Sequence, residues 1–89
     1  MDTNVKTLET VARGGDAVLF EIEMRGKRCT CSISREALED HFWLGRHADE
    51  ARLLHAFSDG RKRIVAMAER KARRLATEVI KLTSQDFER

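Results

Sequence analysis

The chain has 89 residues, so one domain with a modest core is expected. Against 15 acidic residues stand 17 basic ones, a net charge of +2, so any attraction to nucleic acid must come from a local patch. No apolar run approaches the ~18 residues of a spanning helix, and Met1-Asp2-Thr3-Asn4 lacks the cationic and apolar regions of a signal peptide, so the expected setting is cytoplasmic with no membrane contact.

Residues 1–16 are weakly patterned. Val5, Leu8 and Val11 or Ala12 would share one face of a two-turn helix ended by Gly14-Gly15-Asp16. Helix and strand both stay open for this segment. Residues 17–33 are far clearer. Val18, Phe20, Ile22 and Met24 alternate with Leu19, Glu21 and Glu23, and Cys29, Cys31 and Ile33 alternate with Arg28, Thr30 and Ser32. A period of two marks half-buried strands. Arg25-Gly26 between them reads as a two-residue hairpin loop. That loop sets Ile22 opposite Cys29, Phe20 opposite Cys31 and Val18 opposite Ile33. A one-residue slip would set Ile22 against Thr30 and bury a polar side chain, so the pattern selects the register.

At Ser34 the rhythm changes. Ser34 is a natural N-cap, with Ile33 and Leu38 at the two positions of a hydrophobic staple and Glu36 in the first turn, where the helix dipole favours an acid. The helix over 34–45 carries Ala37, Leu38, His41 and Phe42 on one face, with Gly45 as its expected C′ residue. Trp43 and Leu44 lie off that stripe, where they cover the sheet edge or face a partner.

A longer helix is expected over 49–76. At ~100° per residue, Leu53, Leu54, Phe57, Ile64, Val65, Ala68, Ala72 and Leu75 fall in one sector, and Lys62, Arg63, Arg70, Arg73 and Arg74 fall opposite. The phase runs unbroken through Ser58-Asp59-Gly60, so the spacing predicts a single helix with one tolerated glycine. Residues 78–83 are rich in β-branched side chains and read as a short strand joining the hairpin, although Val79 and Leu82 also continue the helical stripe. Residues from Ser84 onward read as a tail.

Several of these residues carry a resemblance: Val18, Phe20 and Gly26, then Cys31-Ser32-Ile33-Ser34 with Ala37-Leu38 and Phe42. Phe57, Arg61, Ile64 and Ala68 follow, and Leu82-Thr83 with Asp86-Phe87 near the end. Over residues 17–87 the chain resembles the YrdB-like family of small bacterial proteins of unknown function. The resemblance implies a compact α+β domain with helices on one face of a small sheet. It carries over no activity and no catalytic residue.

Three features bear on chemistry. Cys29 and Cys31 share a strand face, with His41, His47 and His55 elsewhere, but the spacings are not those of metal sites. Buried thiols are the expected reading, and no metal or cofactor is expected. Arg61 falls inside the apolar sector and needs acceptors: either a carboxylate, with Glu39 and Asp40 the candidates, or an anion at a pocket rim. Finally, Arg61 to Arg74 holds seven cations and one acid, Glu69. Five of them, Lys62, Arg63, Arg70, Arg73 and Arg74, share a face able to follow a phosphate backbone, yet that face offers no aromatic residue for base stacking.

The expectation is therefore one α+β domain: a small antiparallel sheet, from the hairpin and a C-terminal strand, with two helices on one face. No nucleophile elbow, phosphate loop or HExxH motif is present, so no enzyme is expected. The favoured function is an interaction module for itself or another protein, with Trp43 and Leu44 as interface. The alternatives are a nonspecific nucleic-acid binder through the five cations and an anion site at Arg61.

Overall fold

Alternation from Ala17 to Ser34 builds the centre of the molecule in the computed structural model, which describes residues 9–88. Strands β2 (Ala17–Met24) and β3 (Lys27–Ser34) pair antiparallel with Ile22 on Cys29, Phe20 on Cys31 and Val18 on Ile33, the register the apolar pattern selects. Both turn residues have positive φ, Arg25 at 53° and Gly26 at 80°, as a tight hairpin between right-twisted strands requires. All six paired side chains are buried.

The N-terminal segment departs from the helical expectation. Val11 lies in β1 (Thr10–Val11), which pairs antiparallel with β2 through Thr10–Leu19 and Val11–Val18. Val5 and Leu8 lie outside the described residues. A 3-10 turn over Arg13–Gly15 joins β1 to β2, with Gly14 at φ 87° and Gly15 at φ 75°. Two successive left-handed residues explain the glycine pair.

Ser34 caps helix α1 (Arg35–His41) as its position implies, its hydroxyl accepting the Ala37 N–H at 3.0 Å. Ile33 and Leu38, the staple pair, are both fully buried. The helix ends four residues before Gly45, the expected C′ residue. Phe42 is the C-cap and Trp43 follows in the left-handed region at φ 64°. The Leu44 N–H then donates to the Leu38 carbonyl at 3.2 Å. This bond turns the chain so that Leu44 points inward and is buried.

The single long helix is two. Helix α2 (Glu50–Asp59), capped by Asp49 whose Oδ1 accepts the Arg52 N–H at 3.0 Å, ends at Gly60, and α3 (Arg61–Leu75) begins after it. The physical reason lies in α1. The Phe42 ring sits on Gly60 so closely that a Cβ there would meet a ring carbon at 2.3 Å. Gly60 is thus required by a close approach rather than tolerated as a flaw. Its φ of −102° and ψ of 13° are a modest departure from helical values, so the apolar phase survives the break and the periodicity could not reveal it.

Strand β4 (Val79–Leu82) joins the outer side of β3, but in parallel, with Cys31 opposite Ile80 and Ile33 opposite Leu82. The sheet is therefore mixed, in the order β1-β2-β3-β4. The helices between β3 and β4 return the chain to the end of the sheet where β3 began, which a hairpin connection would not do. The expected tail is also ordered. Ser84–Phe87 forms a 3-10 turn whose Phe87 ring packs edge-on against Phe42 at 5.2 Å.

The domain is α+β, with α1, α2 and α3 against one face of the sheet. Val18, Phe20, Ile22, Cys29, Cys31, Ile33, Ile80 and Leu82 meet Leu38, Leu53, Phe57, Ile64, Ala68 and Ala72 there. Phe20 and Phe57 form its aromatic centre, 4.9 Å apart. The opposite face is open to water and mostly polar. One side chain stitches the layers. Arg35 donates to the Gly15 carbonyl at 2.8 Å and to the Ala48 carbonyl at 2.9 Å, joining the β1–β2 turn, α1 and the α1–α2 loop.

Candidate binding face

Helix α3 separates its residues by chemistry. Ile64, Ala68 and Ala72 are buried against the sheet, while Lys62, Arg63, Arg70, Arg73 and Arg74 are all exposed. From Lys62 to Arg74 the stripe spans roughly 18 Å at the rise of an α-helix. Among the described residues, no carboxylate lies within ion-pair distance of any of the five. Several cations elsewhere are matched, Arg28 with Glu21, Lys27 with Glu78 and Arg35 with Glu39. The cations outside α3 without such a partner among the described residues, such as Arg25, Arg46 and Arg52, do not line up on one helix face. Lys71, on the same helix but another face, contacts Asp86 at 2.9 Å and donates to the Lys81 carbonyl at 2.6 Å. Burial pushes the Asp86 carboxyl up, but hydrogen bonds from Lys71 and the Thr83 N–H outweigh it and hold the group below the usual carboxylate range.

Arg61 has an internal partner. It pairs with Glu9, just before β1, and its guanidinium stands 5.4 Å from the Phe57 ring centre. The expected partners are engaged elsewhere: Glu39 faces Arg35, and Asp40 accepts the Ser84 hydroxyl at 2.6 Å. Arg61 is thus a strut between α3 and the N-terminal edge of the sheet.

The two residues expected at an interface part company. Leu44 is in the core, a correction to its expected surface role, whereas Trp43 is 96 % exposed. The contact of Phe42 with Gly60 brings the end of α1 to the start of α3. As a result Phe42, Trp43, Arg52, His55, Lys62 and Arg63 line one shallow depression. The Arg63 guanidinium lies 4.8 Å from the Phe42 ring centre, close enough for a cation–π contact, and lines the same depression as Trp43. At the other end of α3, Met67, Arg70, Arg73, Arg74 and Gln85 line a second depression against the last turn. The aromatic residue missing from the helix in sequence is therefore supplied by a neighbouring element.

Sequence reasoning also missed a cluster of Ser84, His41 and Asp40. The Ser84 hydroxyl is 2.6 Å from Asp40 and 3.2 Å from His41 Nε2, which also lies 3.0 Å from the Ser84 carbonyl. These are the residue types of a nucleophilic triad in a different wiring. The carbonyl can only accept, so His41 Nε2 carries the proton, and the hydroxyl donates to Asp40. The serine faces a carboxylate rather than an imidazole base, and the cluster ties the last turn to α1. Cys29 and Cys31 are buried free thiols, and burial, reinforced by the neighbouring Cys29, pushes Cys31 up to about 12. Among the described residues no three metal-capable side chains converge, and no helix is long and apolar enough to cross a membrane.

A family model described as a protein of unknown function, DUF1488, matches residues 6–80. The chain belongs to the DUF1488 family. No curated protein and no solved structure matches it. The DUF1488 assignment spans β1 to the start of β4, so both the unpaired cation stripe and Trp43 lie within the family's own segment.

Proposed function

We propose that this DUF1488 domain is a non-enzymatic binding module that receives a polyanion along the free face of α3. One observation carries the reading: five exposed cations on one helix face have no carboxylate partner among the described residues, in a protein whose net charge is only +2. Charge has been segregated rather than spread, and a cation stripe of this kind attracts a polyanion by releasing its condensed counterions. The YrdB-like likeness adds no activity to this reading, and a cytoplasmic setting would supply such partners. The wiring of Ser84, His41 and Asp40 supports the absence of catalysis.

The test is retention on immobilised heparin at low salt, with elution by a salt gradient. The wild-type protein is expected to bind, and Arg70→Glu/Arg73→Glu/Arg74→Glu to pass through unretained with an unchanged circular dichroism spectrum. Wild-type protein that fails to bind at low salt removes the proposal. A second reading, self-association through Trp43, rests on that residue's exposure, and sedimentation at rising concentration distinguishes it.

A further inference from the structure

Trp43 is the feature that a plain electrostatic face does not explain. Its backbone is left-handed at φ 64°, where glycine is the ordinary occupant after a helix. Its side chain is 96 % exposed, although tryptophan is among the most buried residues on average. The left-handed turn buries Leu44, which a glycine would do as well, but the indole adds no packing of its own, since the neighbours on both sides, Phe42 and Leu44, do it. A bulky residue in a strained conformation at the rim of a cationic depression marks a contact made with something else.

We infer that the polyanion is a single-stranded nucleic acid, with an unpaired base stacked on the Trp43 indole and its phosphates following Lys62 and Arg63 towards Arg73 and Arg74. This deepens the polyanion reading and rests on it. Base–aromatic stacking beside a cationic track is how sequence-tolerant single-strand binders work. A duplex keeps its bases stacked on one another and offers the indole no free base face. A sulfated or polyphosphate chain has no π-face to offer. An anionic membrane fits less well. Interfacial anchors need several apolar residues that can enter the lipid, but Leu44 is buried, and on α3 Ile64, Ala68 and Ala72 face the core while the half-exposed Leu75 lies at the far end of the helix from Trp43. Arg63, held over the Phe42 ring, places a fixed charge next to the stacked base, where the adjoining phosphate must pass.

Trp43 is the only tryptophan in the chain, so its emission reports the contact directly. Full-length protein is titrated with a 12-nucleotide oligothymidine, with a duplex, with heparin, and with phosphatidylserine–phosphatidylcholine vesicles. The oligonucleotide is expected to quench the emission and to bind at least about tenfold more tightly than the duplex. With five cations engaged, the slope of log K against log salt should be about −3.5 for a single strand. In anisotropy measurements with labelled oligonucleotide, Trp43→Ala should weaken binding roughly tenfold or more while leaving heparin elution unchanged. Trp43→Phe should restore most of it. If Trp43→Ala binds oligonucleotide as the wild type does while heparin retention still requires the α3 cations, the single-strand inference is overturned and the polyanion reading stands. If nothing anionic binds, both fall. A blue shift with vesicles and none of the quenching with oligonucleotide assigns the surface to a membrane and overturns the inference.

Discussion

Ser34 and Trp43 stand at the two ends of the same short helix and obey opposite rules. At Ser34 every local preference agrees with the tertiary structure: a hydroxyl cap, a buried staple of Ile33 and Leu38, and an acid in the first turn. At Trp43 local preference is overruled twice, by a left-handed backbone and by an indole left in water. Agreement across levels is what a stable corner needs, and disagreement that persists in a folded chain points to selection for something besides stability. The same contrast runs within α3, between Arg61 and Lys71, which pair with Glu9 and Asp86, and the five cations on its outer face, which pair with no carboxylate among the described residues.

The comparison can be broken or sharpened by substitution, beginning with its core side. Phe57→Ala, which empties the position against Phe20, should cost about 3–5 kcal/mol in urea unfolding; a loss under ~1 kcal/mol would mean the helices are not anchored there. Next is the junction that brings Trp43 to α3. Gly60→Ala drives a methyl into the Phe42 ring and should cost about 1–3 kcal/mol. Combining it with Phe42→Leu should cost less than the sum of the two, a coupling absent if the ring does not rest on Gly60. The two helix ends should then respond with opposite signs. Ser34→Ala should lose ~1 kcal/mol, whereas Trp43→Gly should hold stability or gain up to about 1 kcal/mol by relieving the left-handed strain. Destabilisation by Trp43→Gly would show that the indole supports the fold and would void the contrast. The smallest effect concerns acid. The folded Asp86 carboxyl lies below its unfolded value of about 3.9, so its contribution is present above that pH and is lost as pH falls through the folded value. Asp86→Asn should therefore be less stable than wild type at pH 7, with the gap closing towards pH 2 in parallel urea titrations.

Much of this architecture was legible from residue order because it rests on short-range rhythm. The hairpin register, the Ser34 cap, a helix beginning near Asp49 and a short strand within 78–83 follow from alternation, capping chemistry, helical spacing and β-branching among neighbours in the chain. The misreadings share one cause. Gly60 looked like a flaw in a long helix because the Phe42 ring that demands it lies on another element. The direction of β4 and the partner of Arg61 likewise depend on residues distant in sequence.

The candidate site divides along the same line. Five cations on one face are a property of helical spacing and could be read from Lys62 to Arg74 directly. Their lack of carboxylate partners among the described residues, and the arrival of Trp43 beside them, depend on how α1 docks onto the α2–α3 junction. Periodicity carries information over a few residues, so it settles which side chains share a face. Which faces meet is settled by close packing between elements, and that is where an exposed aromatic and an unpaired cation stripe became one surface.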